Sequence, residues 1–401
     1  MAYIERTLEP VIRRAASQFP AITLTGPRQS GKTTLLKRLF GETHKYVSLE
    51  TMDARSFAAG DPRGFLAAYP PPAIFDEVQN APDLLSYVKE RIDDHRDQPG
   101  QYILTGSQNL LMIHTVTQTL AGRTAVLRLL PLSRREAAGD PQRPLFAESA
   151  VGVKAGAAAL WESFLRGGYP ELVANPDLDA GLWHSAYVQT YLERDVRGLR
   201  QVGDLTQFQA FLGALAARSG QLLNLHDLSR DLGVAVNTVK NWLSVLEATF
   251  QIVILRPYFA NVGKRLVKTP KVYFTDVGIL CYLTGLKDPD HAASGPMGGA
   301  ILETAVLSEL TKAAVHRGEQ PRIYFWRTSA GLEVDFVVET PDGLVPIEVK
   351  LSATPRPAMA SAIKTFRDDF GDRAGPGYVI HPGSIRLPLA PGVTTLPFSE
   401  L

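Results

Sequence analysis

The 401-residue chain is long enough for roughly two to four domains rather than a single core. Apolar residues make up 45% and charged residues 21%, with a formal net charge of +1, which counts against a histone-like polyanion binder and confines any nucleic-acid surface to a local patch. The single cysteine, Cys281, excludes an intrachain disulfide and a cysteine-rich zinc site and suits a reducing, cytoplasmic setting. No window reaches the length of a membrane span, and Met1 to Arg14 mixes charges of both signs, so neither a membrane segment nor a signal peptide is expected.

In chain order, the first strand-like run is Ala21–Thr25. Gly26-Pro27-Arg28-Gln29-Ser30-Gly31-Lys32-Thr33 follows, a complete G-x-x-x-x-G-K-[ST] phosphate loop, and Thr34, Leu35, Leu36 and Leu39 continue into an amphipathic helix. Gly26 and Gly31 allow the backbone to turn tightly enough for its N–H groups to face a polyphosphate. The positive end of the following helix adds to that attraction. Lys32 is placed to reach the β- and γ-phosphates and Thr33 to ligate Mg2+, so ATP and Mg2+ are the expected cofactors. The expected binding set is Gly26 to Thr34 with Asp76.

Further strand candidates are Tyr46–Leu49, Ala73–Phe75, Tyr102–Thr105 and Ala125–Leu129. Helical runs separate them: the one after the phosphate loop, one near Leu84–Arg96 and one over Asn109–Leu120. This alternation predicts an α/β unit with a parallel sheet. The third strand ends in Asp76-Glu77. Asp76 is placed to hold the Mg2+ shell through water, and Glu77, on the other face of the strand end, to polarise an attacking water as general base. Ser107 and Asn109, at the tip of the next strand, are both able to contact the γ-phosphate or that water. Arg123 ends the following helix.

From Glu136 to Ala159 the chain is rich in Pro, Gly and Ala and reads as a flexible insertion, ahead of an α-rich stretch through Arg200. Next, Leu225–Leu232 reads as a short helix closed by Gly233, and Ala235 to Phe250 as a longer one. Its Val239, Leu243, Leu246 and Phe250 form one buried stripe, leaving Asn237, Thr238, Lys240, Asn241 and Ser244 opposite. Ile252–Leu255 and Lys271–Phe274 complete a hairpin whose connection carries Lys264, Arg265 and Lys268. Such a winged-helix-like unit either meets DNA or packs protein against protein. Lys287–Gly299 reads as a linker or loop. In the last unit, Glu303 lies on a helix (Ile301–Val315), and Asp335, Glu348 and Lys350 lie on two strands joined by Pro341-Asp342-Gly343. Carboxylates facing one point suit Mg2+, with Lys350 as a catalytic partner that positions a water.

The elements to Arg123 resemble AAA-type ATPases of the additional-strand class. The final unit, with Glu303, Asp335, Glu348 and Lys350, resembles restriction-endonuclease-like folds, including Holliday-junction-resolving nucleases; Arg327 and Ser329 would assist there. The whole order resembles a family of prokaryotic AAA-type ATPases with a C-terminal domain of unknown function, through Leu104-Thr105-Gly106-Ser107, Gly122-Arg123, Gly168-Tyr169-Pro170 and Glu333-Val334-Asp335. The resemblance implies an α/β P-loop core over 1–132, a helical lid with a flexible insertion over 133–203, a winged-helix domain over 204–286 and a nuclease-like α/β domain over 296–401. It makes Ser107 or Asn109 the first sensor, Arg166 or Arg194 a second, and Arg123 an arginine finger that completes a neighbouring site. That implies a homo-oligomer, a ring being the expected form. The implied activity is an ATPase that translocates on or remodels DNA, branched junctions included. The alternatives are a nucleotide-gated signalling or defence switch and an ATP-regulated metal-dependent nuclease.

Overall fold

Five short runs, Ala21–Thr25 (β1), Lys45–Ser48 (β2), Ala73–Asp76 (β3), Tyr102–Gly106 (β4) and Thr124–Arg128 (β5), form one sheet in the computed structural model. The structure describes residues 3–107, 119–147, 157–192, 205–259, 269–328 and 330–401. All pairings in this sheet are parallel, in the order β2-β3-β4-β1-β5, which places β4 between the phosphate-loop strand and the carboxylate strand. Every residue of β1, β3 and β4 is buried, as expected of a parallel sheet covered on both faces.

Period-two alternation divides these strands between two cores. Ala21, Phe75, Tyr102 and Leu104 face the helices Met52–Gly60, Pro62–Ala68 and Leu84–Asp94. Ile22, Leu24, Ile74 and Ile103 face Glu9–Ala16 and the helix after the phosphate loop, Lys32–Phe40. Because all five strands run the same way, their C-terminal tips gather the phosphate loop, Asp76-Glu77 and Ser107 on one edge.

The helices Ala157–Arg166, Pro170–Ala174 and Ala180–Tyr187 share one core with Leu205–Ala216, Leu225–Leu232, Val236–Ala248 and Val277–Leu283. The hairpin of Ile252–Leu255 (β6) and Lys271–Phe274 (β7) belongs to the same core. That core continues into the long helix Gly298–Val315 and one face of a six-stranded sheet. The strands of this sheet are Ile323–Arg327 (β8), Glu333–Thr340 (β9), Gly343–Val349 (β10), Gly377–His381 (β11), Pro388–Ala390 (β12) and Val393–Pro397 (β13), ordered β12-β13-β11-β10-β9-β8. Helix Ser361–Phe370 contributes Ala362, Ile363 and Phe366 to two smaller cores against this sheet.

Two expectations from composition change. The Lys287–Gly299 stretch holds a helix, Pro289–Ser294, and Gly298 already starts the long helix. Asp288 caps the short helix, accepting from His291 N–H at 2.7 Å, with Pro289 in the first turn; Asp-Pro starts helices as readily as turns. Glu136, expected at the start of a flexible insertion, is instead buried in a capping box with Ser133. Residues 148–156 of that insertion lie outside the described residues.

Candidate nucleotide site

Gly26 (φ +152°) passes so close to Leu129 that an added Cβ would sit 2.1 Å from the Leu129 carbonyl oxygen, so only glycine closes the loop against β5. Gly31, also left-handed (φ +93°), is the N-cap of helix Lys32–Phe40. Lys32 is buried, and its Nζ donates to the carbonyls of Gly26 and Pro27, both at 2.9 Å. Ser30 is buried with its Oγ unpartnered, an orphan polar atom in the loop itself.

Thr33 Oγ1 donates to Asp76 Oδ2 at 2.9 Å, Tyr46 O–H donates to the same oxygen at 2.6 Å, and Thr105 Oγ1 donates to Oδ1. Burial, and then the Asp76 carboxylate, push the Tyr46 phenol up. Glu77 holds a left-handed backbone conformation (φ 58°), and its Oε2 accepts from Ser107 Oγ at 3.0 Å, Ser107 N–H at 3.2 Å and the Gln79 amide. The carboxylate at the strand end is therefore restrained by its neighbours.

These groups open on a cavity of about 490 Å3 that Arg28, Gln29, Gly31, Lys32, Thr33, Thr34, Asp76 and Glu77 line from the sheet side. Tyr3, Ile4 and Arg6 close it from the N-terminal segment, and Pro170 and Glu171 from the helical segment. The volume lies within the range for small-ligand sites. A lysine, a hydroxyl–carboxylate pair, an orphan serine hydroxyl and a helix N-terminus together fit a magnesium–nucleotide.

Arg6 is a site residue that no sequence pattern marked. Its Nη1 donates to Ser30 O at 2.9 Å and its Nη2 to Leu130 O at 2.6 Å, while Nε lies 3.2 Å from Glu136 Oε1. Glu136 Oε1 also accepts from Thr7 N–H at 2.9 Å and lies 3.1 Å from His316 Nδ1. A buried chain of contacts thus runs from the phosphate loop to the long C-terminal helix. Tyr46, Thr105 and Gln79 were likewise invisible; each gains its place only by meeting Asp76 or Glu77.

Arg123 pairs with Asp93 through Nε at 2.6 Å and Nη2 at 3.0 Å, outside its own chain's cavity. Arg166 donates to the carbonyls of Leu172 and Asn175, also outside that cavity. Asn109, Arg194, Lys264, Arg265, Lys268 and Ser329 lie outside the described residues. Of the helix Val236–Ala248, Asn237, Lys240 and Ser244 are exposed, with Thr238 and Asn241 half-buried, while Val239, Leu243 and Leu246 are buried, as Phe250 is just beyond it.

In the C-terminal sheet, Gly343 (φ +137°) opens β10 and pairs with Thr340, so β9 and β10 form a hairpin that brings Asp335 beside Glu348. Asp335 Oδ2 accepts from Val349 N–H at 2.7 Å, and Lys350 Nζ donates to Glu348 Oε1 at 2.5 Å, leaving Glu348 Oε2 buried without a partner. Burial, and then the Glu348 and Glu303 charges, push Asp335 well above the usual carboxylate range. Glu303 itself is taken by Lys271 Nζ at 3.1 Å and by the Tyr273 hydroxyl. Lys271 also reaches Glu333 at 2.5 Å, while Arg327 lies 3.5 Å from Glu333. Among the described residues no group of three or more His, Cys, Asp and Glu side chains is arranged to hold a metal ion. Three carboxylates and Lys350 are neighbours here, but ammonium and phenol groups already occupy one of them, so the residues present do not form a ready Mg2+ set.

Residues 18–138 match a family model described as an AAA domain, 157–290 a domain of unknown function (DUF8612), and 298–401 another (DUF4143). The uncharacterized proteins Rv2008c of Mycobacterium tuberculosis and Mb2031c of Mycobacterium bovis are each 32% identical to this chain over 396 residues, covering 97% of it and 82% of theirs. A Walker-type ATPase of Pyrococcus abyssi superposes with a TM-score of 0.43 at 17% identity, covering 69% of this chain and 94% of its own. A RuvB variant of Thermotoga maritima gives a TM-score of 0.29 at 17% identity, covering 62% and 86% respectively. No helix among the described residues is long and apolar enough to cross a membrane.

Proposed function

The chain belongs to one family with these mycobacterial proteins and carries an AAA-type P-loop domain, and we propose that it hydrolyses ATP to translocate on or remodel DNA, branched junctions included. The observation that carries the ATPase reading is the convergence of Lys32, Thr33, Asp76 and Glu77 on one cavity of about 490 Å3. Lys32 leaves the Gly26 and Pro27 carbonyls for the β- and γ-phosphates. Thr33 and Asp76, already within hydrogen-bond distance, would hold Mg2+. When bound, Mg2+ neutralises the phosphate oxygens. Glu77, released from Ser107 and Gln79, orients and polarises the attacking water. Arg123 exchanges Asp93 for the γ-phosphate of a neighbouring subunit in a homo-oligomeric ring.

We assign the ATPase core to 1–132, the helical lid to 133–203, a winged-helix unit to 204–286 and a restriction-endonuclease-like platform to 296–401. The exposed Asn237, Lys240 and Ser244 support a DNA-facing helix. The test is steady-state ATP turnover without DNA, with linear duplex and with a four-way junction, across a salt series. Stimulation that fades with salt is expected; turnover indifferent to every DNA, with no salt-sensitive retention, overturns the DNA reading. The restraint on Glu77 favours a second reading, a nucleotide-gated switch with slow turnover. Tight ADP retention with slow exchange would select it over the motor.

A further inference from the structure

A second cavity, about 420 Å3, lies behind the helix Pro170–Ala174. Leu172 and Val173 line it, whereas Pro170, Glu171 and Ala174 of the same helix line the nucleotide cavity; Leu132 borders both. The remaining wall is largely apolar, with Phe164, Val277, Ala305 and Phe398.

Its polar groups are unevenly satisfied. Asp276 accepts from Gly168 N–H at 2.7 Å and Ile279 N–H at 3.2 Å, and Glu309 accepts from Arg134 N–H at 2.9 Å. Arg166 is spent on two carbonyls. Lys312 is only 3% exposed, and its nearest carboxylate oxygen, on Glu309, is 3.6 Å away, beyond hydrogen-bond range. Lys312 Nζ is thus held by Glu309 through charge at 3.6 Å. Arg134 Nε is also buried without a partner, its guanidinium standing 5.2 Å from the centroid of the Phe398 ring. Three cationic side chains face two carboxylates, so the lining carries one surplus positive charge. A buried guanidinium nitrogen without a partner, beside surplus positive charge and an apolar chamber, is costly unless a ligand completes it.

We infer that this cavity binds a small amphipathic monoanion. Its carboxylate or sulfonate sits against Lys312 and Arg134 Nε, and its apolar body lies against Phe164, Leu172 and Val173. Occupancy is felt at the nucleotide cavity through Leu132 and the helix Pro170–Ala174, a coupling that rests on the ATP-binding reading above; the binding itself does not.

The test titrates the full chain calorimetrically with decanoate, decanol and decyltrimethylammonium. Decanoate is expected to saturate at one per chain and to bind about tenfold or more tighter than decanol, the difference made by charge-assisted hydrogen bonds. Lys312→Met should reduce decanoate to the affinity of decanol. Ala138→Trp, on the exposed rim, should block both and serves where the buried change harms folding. Equal binding of all three amphiphiles, or decanoate binding untouched by both variants, overturns the site. Saturating decanoate should also change the affinity for a fluorescent ATP analogue at least about threefold, consistent with ordinary coupling energies. Unchanged affinity overturns the coupling alone, and an analogue that never binds overturns the ATP reading while leaving the decanoate result standing.

Discussion

Replacing Arg6 with methionine tests the buried link between the phosphate loop and the C-terminal helix. Arg6 is 3% exposed and Glu136 fully buried, so their 3.2 Å contact is scarcely screened by solvent. Leu130 N–H donates to His316 Nε2 at 3.1 Å, which assigns that nitrogen as unprotonated and the ring as neutral. Arg6 is then the charge that compensates Glu136. Burial alone would raise the Glu136 carboxyl; its His316 and Arg6 neighbours and backbone donors hold it well below the usual range instead. Without the guanidinium, Glu136 keeps the N–H groups of Thr7 and Ser133 but no full countercharge, and the carbonyls of Ser30 and Leu130 lose their donors. Stranding one member of a buried pair costs about 3–5 kcal/mol. Adding Glu136→Gln should return about 2 kcal/mol or more, because the stranded charge is gone. Urea unfolding of the wild type, both single variants and the double variant completes the cycle, read on midpoints of the same transition. The affinity of Arg6→Met for a fluorescent ATP analogue should fall as well, since the Ser30 turn loses its brace. A loss below about 1 kcal/mol in Arg6→Met, or strictly additive variants, would refute the reasoning.

Lys32→Ala should abolish binding of the ATP analogue, whereas Glu77→Gln should bind it normally and lose turnover; retained turnover in Glu77→Gln would move the general base elsewhere. The histidine contribution to stability should decline on acidification below about pH 6.5, the ordinary histidine value, against the opposite contribution of Asp335 and Glu348, whose raised carboxyls take up protons first in the folded chain. Burial holds His316 below that value against the opposing pull of Glu136, and burial likewise lowers His44, His184 and His381. At these histidines the unfolded chain therefore takes up protons first, costing up to about 1.4 kcal/mol per pH unit for each such group. His316→Gln removes one such group, so its urea midpoint should fall less, or rise more, than the wild type's between pH 7 and pH 5.5; identical slopes would contradict this sign. Gly167→Ala should destabilise the chain by about 1–3 kcal/mol. At φ +75° the new Cβ would lie 2.3 Å from Asp276 Oδ1, a carboxylate already used to cap two N–H groups. An unchanged thermal midpoint would show that the Gly167 turn and Asp276 yield freely.

Local pattern carried far in some places and failed in others for one reason, the distance between partners. The glycine-bounded loop, the apolar strands and the Asp76-Glu77 tip are contiguous, so backbone geometry and period-two burial are written in neighbouring residues. The stripe Val239, Leu243 and Leu246 was legible in the same way, because helical spacing sets it; Phe250, past the helix end with φ 61°, is instead buried in a separate core with Leu130 and Val315. The Asp288-Pro289 pair misled because the same dipeptide serves a turn or a helix start, and only Ala292, buried in the core, decides between them.

What the chain's order of residues determined alone is the phosphate-loop sheet and the carboxylates at its edge, since parallel strands deliver their tips to one side whatever else folds around them. Tertiary structure decided the rest: that Arg6 braces Ser30 across 24 positions and Leu130 across 124, that Lys271 takes Glu303, and that Lys312 borders a chamber behind the nucleotide cavity. Buried charge must find its partner wherever packing places it, and no local pattern encodes a pairing made between distant elements.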